Sequence, residues 1–264
     1  MTLQDKINHA IEVLKKAEKL ALKYSDEGFH LAFSGGKDSQ VIYELAKMAG
    51  VKFKAYFYKT SVDPKPLLSF IRINYPDVIW IRPEMTMFQL ILKKKNLPTR
   101  KSRFCCEYLK EKQGLNRVVI IGIRKAESTQ RKKRIEFTSE CKGGCDKNLL
   151  SIILEWTDSD VWRFLAMRDI FVCSEYKRRR RIGCIGCPMS RNRCRELEDF
   201  PNVKKAYINT CQKIIDQYPD STFAKNFRNG YDAYKWWMSE LSVKKYIALR
   251  DLQMKINFDN ELNN

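Results

Sequence analysis

The stretch His30-Leu31-Ala32-Phe33-Ser34-Gly35-Gly36-Lys37-Asp38-Ser39-Gln40-Val41-Ile42 decides the fold of this chain. A short apolar strand, His30 to Phe33, runs into a Gly-Gly turn, and Val41, Ile42, Leu45 and Ala46 then recur at helical spacing. Adjacent glycines let the backbone turn tightly, so that several amides can point together at one anion. The helix that follows adds its unpaired N–H groups and the positive end of its dipole. Ser34 and Ser39 add hydroxyl donors and Lys37 adds a charge, so Ser34, Gly35, Gly36, Lys37, Asp38 and Ser39 read as a phosphate cradle. The Gly-x-x-x-x-Gly-Lys-Ser/Thr spacing of a Walker loop is absent, which argues against a P-loop NTPase.

Outward from the loop, strands and helices alternate. An amphipathic helix over residues 3–24 carries Leu3, Ile7, Ile11, Leu14, Leu20 and Ala21 on one stripe. Strands follow at 52–58, 78–81, 117–123 and 149–156, separated by helices at 66–74, 87–95 and 158–167, the last entered through an Asp/Ser cap. Such alternation predicts an α/β fold with a parallel sheet covered on both faces. The chain divides on this reading into a nucleotide-binding domain over 1–200, with a Cys-rich basic insertion near 170–195, and a helical C-terminal extension over 201–264. Trp236 and Trp237 are its expected core anchors.

Lys and Arg number 50 against 31 Asp and Glu, a net charge of +19 that suits either solubility or an anionic partner. Four basic runs stand out: Lys93-Lys94-Lys95, Arg100-Lys101-Ser102-Arg103, Arg131-Lys132-Lys133-Arg134 and Lys177-Arg178-Arg179-Arg180-Arg181. They suggest a track for a phosphate backbone, either DNA or tRNA. No run of about 18 uncharged apolar residues predicts a membrane span. The N-terminus enters an amphipathic helix without an apolar leader, so a cytoplasmic protein is expected. In such a reducing compartment nine cysteines, an odd count, argue for metal ligation over disulfides. A Cys-x-x-Cys turn, Cys184-Ile185-Gly186-Cys187 before Pro188, presents two thiolates to one metal, and the tandem Cys105-Cys106 can reach two more corners. By count alone, four sulfurs suit zinc and an iron–sulfur cluster equally. Cys141-Lys142-Gly143-Gly144-Cys145 reads as a loop, and Cys173, Cys194 and Cys211 as isolated thiols.

Ser34 to Ser39 resembles the PP-loop of the adenine nucleotide α-hydrolase-like superfamily, whose members include ATP pyrophosphatases, tRNA thiolation enzymes and adenylylsulfate reductases. Further segments resemble the phosphoadenylylsulfate (PAPS) reductase family within it. Gly122-Ile123-Arg124-Lys125-Ala126-Glu127-Ser128-Thr129-Gln130-Arg131 is similar to its Gly-x-Arg-x-x-Glu-Ser-x-x-Arg signature, and Trp156-Thr157-Asp158-Ser159-Asp160-Val161-Trp162 to its Trp-Thr-x-x-Asp-Val-Trp segment. The resemblance covers residues 28–190 and implies an adenine nucleotide on Ser34 to Ser39, with Arg124 and Arg131 gripping phosphate or sulfate oxygens and Glu127 orienting one of them. It also implies a [4Fe–4S] cluster on Cys105, Cys106, Cys184 and Cys187, with structural zinc as the alternative.

Two features depart from the reductases. Their catalytic Cys in a Glu-Cys-Gly-Leu-His tail has no counterpart, since no cysteine follows Cys211. Thr60-Ser61-Val62-Asp63-Pro64 replaces an Asp-Thr-Gly-like turn, leaving Thr60 and Asp63 either to bind ribose or orient magnesium or to form a plain turn. The expected function is therefore an ATP pyrophosphatase in sulfur transfer, using ATP with magnesium, a sulfur-donor or redox protein, and nucleic acid as acceptor. Lys37, Arg124, Glu127 and Arg131 are its expected catalytic residues. The alternatives are a PAPS or adenylylsulfate reductase, and a non-enzymatic nucleic-acid-binding protein with a structural zinc site.

Overall fold

The structure is a computed structural model describing all residues except 112, 113, 143, 144, 263 and 264, and all side chains except those of 111–113, 140–146 and 254–264. In chain order the elements begin with α1 (Leu3–Tyr24), β1 (Phe29–Ala32), α2 (Lys37–Ala49), β2 (Phe53–Tyr58), α3 (Lys65–Asn74), β3 (Ile79–Ile81) and α4 (Met87–Lys94). Next come α5 (Phe104–Cys106), a π-helical turn at Glu107–Glu111, β4 (Arg117–Ile120), α6 (Thr129–Lys132), β5 (Phe137–Lys142), β6 (Cys145–Leu150) and α7 (Asp158–Met167). A 3-10 turn at Ser174–Lys177 precedes α8 (Arg193–Asp199), α9 (Pro201–Gln217), α10 (Thr222–Asn226), α11 (Gly230–Ser239) and α12 (Val243–Leu262).

These elements form two compact units, Met1–Pro83 with Leu109–Gly183, and Glu84–Tyr108 with Cys184–Asn264. The cut does not fall at residue 200, because α4 and α8 pack on α9 and so group with the helical part of the chain.

In the first unit the strands form one sheet in the order β3-β2-β1-β4-β6-β5. All neighbouring pairs are parallel except the edge pair β5–β6, an antiparallel addition common on otherwise parallel sheets. The chain winds outward from β1 through β2 to β3, then returns to the other side of β1 at β4. That reversal makes the carboxyl ends of β1 and β4 the topological switch point, where open α/β sheets bind ligands.

Strand alternation puts Phe29, Leu31, Ala55, Phe57, Val118 and Ile120 into a core with Ile7, Ala10 and Leu14 of α1 and Val41, Ile42 and Leu45 of α2. Each large side chain fully buried there contributes about 1.5–3 kcal/mol. The alternate positions carry His30, Tyr56 and Tyr58. His30 stacks on Tyr56 at 4.2 Å between ring centroids, and its Nε2 lies 2.6 Å from the Tyr58 hydroxyl. Burial, reinforced by the charges of Arg117 and Lys147, pulls the His30 imidazole down to about 4. Among the described residues no helix is long and apolar enough to cross a membrane.

Two sequence expectations are corrected. The strand expected at 149–156 ends at Leu150, and residues 152–155 are a turn. Ile152, Ile153, Leu154 and Trp156 are all buried, so the apolar run reports burial without strand geometry. The expected loop around Cys141 and Cys145 is instead part of the β5–β6 pair, with Lys142 opposite Cys145, while the side chains of those two cysteines lie outside the described set.

In the second unit Trp236 and Trp237 are buried, as expected of core anchors. Each finds a partner for its indole N–H, Trp236 donating to the Leu241 carbonyl at 3.0 Å and Trp237 to that of Pro98 at 2.6 Å.

Candidate functional site

The loop between β1 and α2 is shaped by its glycines. Gly35 sits at φ +70°, a left-handed conformation costly for other residues, and a Cβ there would lie 2.6 Å from Ile71 Cδ1. Gly36 is the N-cap of α2 and offers no side chain to satisfy the first-turn amides. Serine hydroxyls partly tie the loop to itself: Ser39 donates to the Gly36 carbonyl at 2.8 Å, and Ser34 to the Ser39 hydroxyl at 3.2 Å. The backbone N–H of Lys37 donates to the phenol oxygen of Tyr176 at 2.7 Å.

Two buried cations meet two carboxylates at the start of α2. Arg124 is 3% exposed, and its Nε bonds Asp38 at 2.6 Å while Nη2 bonds Asp158 at 3.0 Å. Lys37 Nζ lies 3.0 Å from Asp158 and 3.2 Å from Asp38. Burial raises the Asp158 carboxyl, but Lys37 and Arg124 outweigh it and hold the group below the usual carboxylate range. Gly122, just beyond β4, lets this happen, since a Cβ there would come within 3.1 Å of the Asp38 backbone. The switch point thus joins the loop after β1 to Arg124 after β4, with cations and first-turn amides in one place.

The other expected residues fall less centrally. Glu127 accepts the Arg124 backbone N–H at 3.1 Å and pairs with Arg131 at the i, i+4 position, so it is Arg131 that it holds by the side chain. Thr60 is buried and faces its own turn, its N–H and hydroxyl both donating to Asp63 at 2.6 and 2.8 Å. The sequence singled out neither Asp158 nor Tyr176. Asp158 sits between Thr157 and Asp160, which form the capping box of α7, and that stronger signal masks it.

All four expected cysteine ligands fall in the second unit. Gly186, at φ +75°, and a bond from the Cys187 N–H to the Cys184 carbonyl at 3.2 Å close the Cys-x-x-Cys turn against Tyr207 and Trp237. The Tyr207 hydroxyl donates to the Ile185 carbonyl at 3.3 Å. A hydrogen bond with Cys106, then burial, then the charges of Cys106, Cys184 and Cys187 push the Cys105 thiol well up. Cys105 therefore lies within electrostatic reach of the other three, and four thiols are a donor set whose chemistry suits zinc or iron–sulfur. Among the described residues, no three His, Cys, Asp or Glu side chains stand in metal-holding geometry.

A mostly parallel sheet with an anion-type loop at its switch point defines an open α/β protein of the PP-loop kind. The chain belongs to the phosphoadenosine phosphosulfate reductase domain family, which it matches over residues 28–190. It is 29% identical to an uncharacterized protein of Methanocaldococcus jannaschii over 221 residues, 78% of this chain and 51% of that protein. It is 24% identical to the "Probable FAD synthase" of Schizosaccharomyces pombe over 182 residues, 67% of this chain and 64% of the relative. The chain thus spans less than two thirds of the length of either relative. Among solved structures, the FMN adenylyltransferase of Candida glabrata bound to FAD and inorganic pyrophosphate shares the fold, with a TM-score of 0.50 at 17% identity. That match covers 75% of this chain and 73% of the other.

Proposed function

We propose that this protein binds ATP at the switch point and transfers its adenylyl group. The observation that carries the reading is the meeting of buried Lys37 and Arg124 with the Gly36-capped amino end of α2. An acceptor oxygen attacks the α-phosphorus as the bond to the β-bridging oxygen breaks, and pyrophosphate leaves. Lys37 and Arg124 balance the charge that develops on the phosphate oxygens, aided by the loop amides. Magnesium would accompany the nucleotide, and Asp158, 55% exposed at its side chain, is the carboxylate able to meet it. The adenylyltransferase and FAD synthase among the similar proteins support this chemistry.

In this reading sulfide-level sulfur then attacks the adenylylated position, the bond to the adenylylated oxygen breaks, and AMP leaves carrying that oxygen. Cys105, Cys106, Cys184 and Cys187 would hold a [4Fe–4S] cluster, zinc being the alternative, and a bound cluster would supply positive charge and, if one thiolate gave way, an iron able to bind sulfur. A sulfur-donor or redox protein would deliver it. The basic runs at 93–95, 100–103, 131–134 and 177–181, exposed except for the half-buried Arg131 and Arg179, suit DNA or tRNA as acceptor.

Anaerobically purified protein should release pyrophosphate from ATP, and more with its acceptor present. Sulfite release from adenylylsulfate or PAPS with a thiol reductant would instead favour the reductase reading, which the family match supports. A brown chromophore near 400 nm lost in Cys184→Ser supports the cluster; colourless protein with stoichiometric zinc rules it out. Affinity for nucleic acid must fall with added salt if the basic runs hold phosphates.

A further inference from the structure

We propose that Tyr176 is a phosphate-binding residue, its hydroxyl accepting the Lys37 amide proton and donating its own proton to a phosphate oxygen of the nucleotide. This rests on the nucleotide-binding reading of the loop and adds to it a ligand from a segment outside the family motifs.

The amino end of α2 has amides to satisfy, and Gly36 has no side chain to do so. Tyr176 supplies the missing acceptor from the Ser174–Lys177 turn, 2.7 Å from the Lys37 nitrogen. A phenol has one proton and can accept while it donates. Among the described residues no acceptor takes that proton. Burial, the largest influence on it, raises the phenol and keeps it protonated. A Cβ on Gly36 would lie 3.3 Å from the hydroxyl, so only glycine leaves the approach unhindered.

The ring is held in place rather than free to swing. It packs edge-on against Trp162, 5.2 Å between centroids at 87°. The Tyr176 N–H bonds the Cys173 carbonyl at 3.0 Å, and the chain entering the turn is pinned where Gln40 Nε2 donates to the Phe171 carbonyl at 2.6 Å. Lys37 and Arg124 already pair with Asp38 and Asp158, so each shares its charge between a carboxylate and any phosphate that arrives. Among the described residues the Tyr176 hydroxyl proton has no carboxylate at hydrogen-bond distance, so it can meet a phosphate oxygen without first breaking an ion pair.

Calorimetric titration of wild-type protein, Tyr176→Phe, Gly36→Ala and Lys37→Ala with ATP and with inorganic pyrophosphate tests this. Tyr176→Phe should keep the wild-type melting temperature within a few degrees and bind both ligands about tenfold more weakly, the scale of one hydrogen bond to a charged group. Gly36→Ala, which displaces the hydroxyl by a few tenths of an ångström, should weaken both in the same direction. Equal affinity in Tyr176→Phe, with Lys37→Ala still impaired, overturns the role of Tyr176 and leaves the nucleotide reading standing. Tighter binding also overturns it, because the hydroxyl would then be competing with phosphate for the Lys37 amide. If the wild type binds neither ligand, the nucleotide reading falls and this inference falls with it.

Discussion

Replacing His30 with phenylalanine should remove a pH dependence that the wild-type protein carries between pH 7 and pH 4. His30 is 5% exposed on the sheet, stacked on Tyr56 and bonded to Tyr58, and its imidazole titrates near 4 instead of 6.5. Burial is the main cause, with Arg117 and Lys147 adding repulsion against a further positive charge. Between those two pH values the unfolded chain binds a proton that the folded chain refuses. The stability that follows from a neutral His30 is full above pH 6.5, falls as the pH drops towards 4, and levels off below. The difference between 6.5 and about 4 corresponds to about 3 kcal/mol at 25 °C. Urea unfolding of wild type and His30→Phe at several pH values from 7.5 to 4 measures it, the difference between the two curves cancelling the carboxylates that titrate in both. Losing the partner of Tyr58 lowers the variant's stability by a constant amount, because the phenol stays neutral throughout. A difference that stays flat within about 1 kcal/mol between pH 7 and pH 4 would refute the reasoning.

Three further outcomes follow from the same geometry. Arg124→Ala removes one of the two cations that Asp38 and Asp158 share; a loss of about 2 kcal/mol in chemical unfolding is expected, below the range for a broken buried pair because Lys37 still meets both carboxylates and Asp158 is half exposed. Gly35→Ala combines a left-handed backbone with a contact at 2.6 Å to Ile71, which should lower stability by about 2–4 kcal/mol and be visible as a clear fall in melting temperature. Asp160 is raised by burial but drawn down to about 2 by Lys6 and Thr157, so the stability it contributes is full above pH 3.8 and lost as the pH falls through 2. Asp160→Asn should therefore lose about 2 kcal/mol at neutral pH and differ little from wild type at pH 2, as read by thermal unfolding at both.

The sheet and its loop were legible where local pattern and tertiary role coincide. The stripe Ile7, Ala10, Leu14 and Ala21 is apolar because it faces the core, and the Gly35-Gly36 pair is there because its backbone needs it. Pattern misled where burial comes without regular geometry, as in the Ile152 to Leu154 turn. It was silent at β5, whose Thr138, Ser139 and Glu140 look like loop residues and pair only at the sheet edge. Arg124 could be named from its motif, but its carboxylate partners Asp38 and Asp158 are far from it in sequence, and one of them was hidden inside a capping motif. Tyr176 lies among cysteines and arginines with no periodicity, so only its 2.7 Å contact with Lys37 gives it meaning.

The second unit is assembled from two separate lengths of chain, Glu84–Tyr108 and Cys184–Asn264, brought together where α4 packs on α9. During synthesis the first length must wait, its Met87, Leu90 and Ile91 without the α9 surface, until well over a hundred further residues have left the ribosome. Cys105 and Cys106 are made long before Cys184 and Cys187. A fragment ending at residue 200 would carry α4 and α8 and lack α9, the surface on which both pack, so the packing of this unit is acquired late in synthesis.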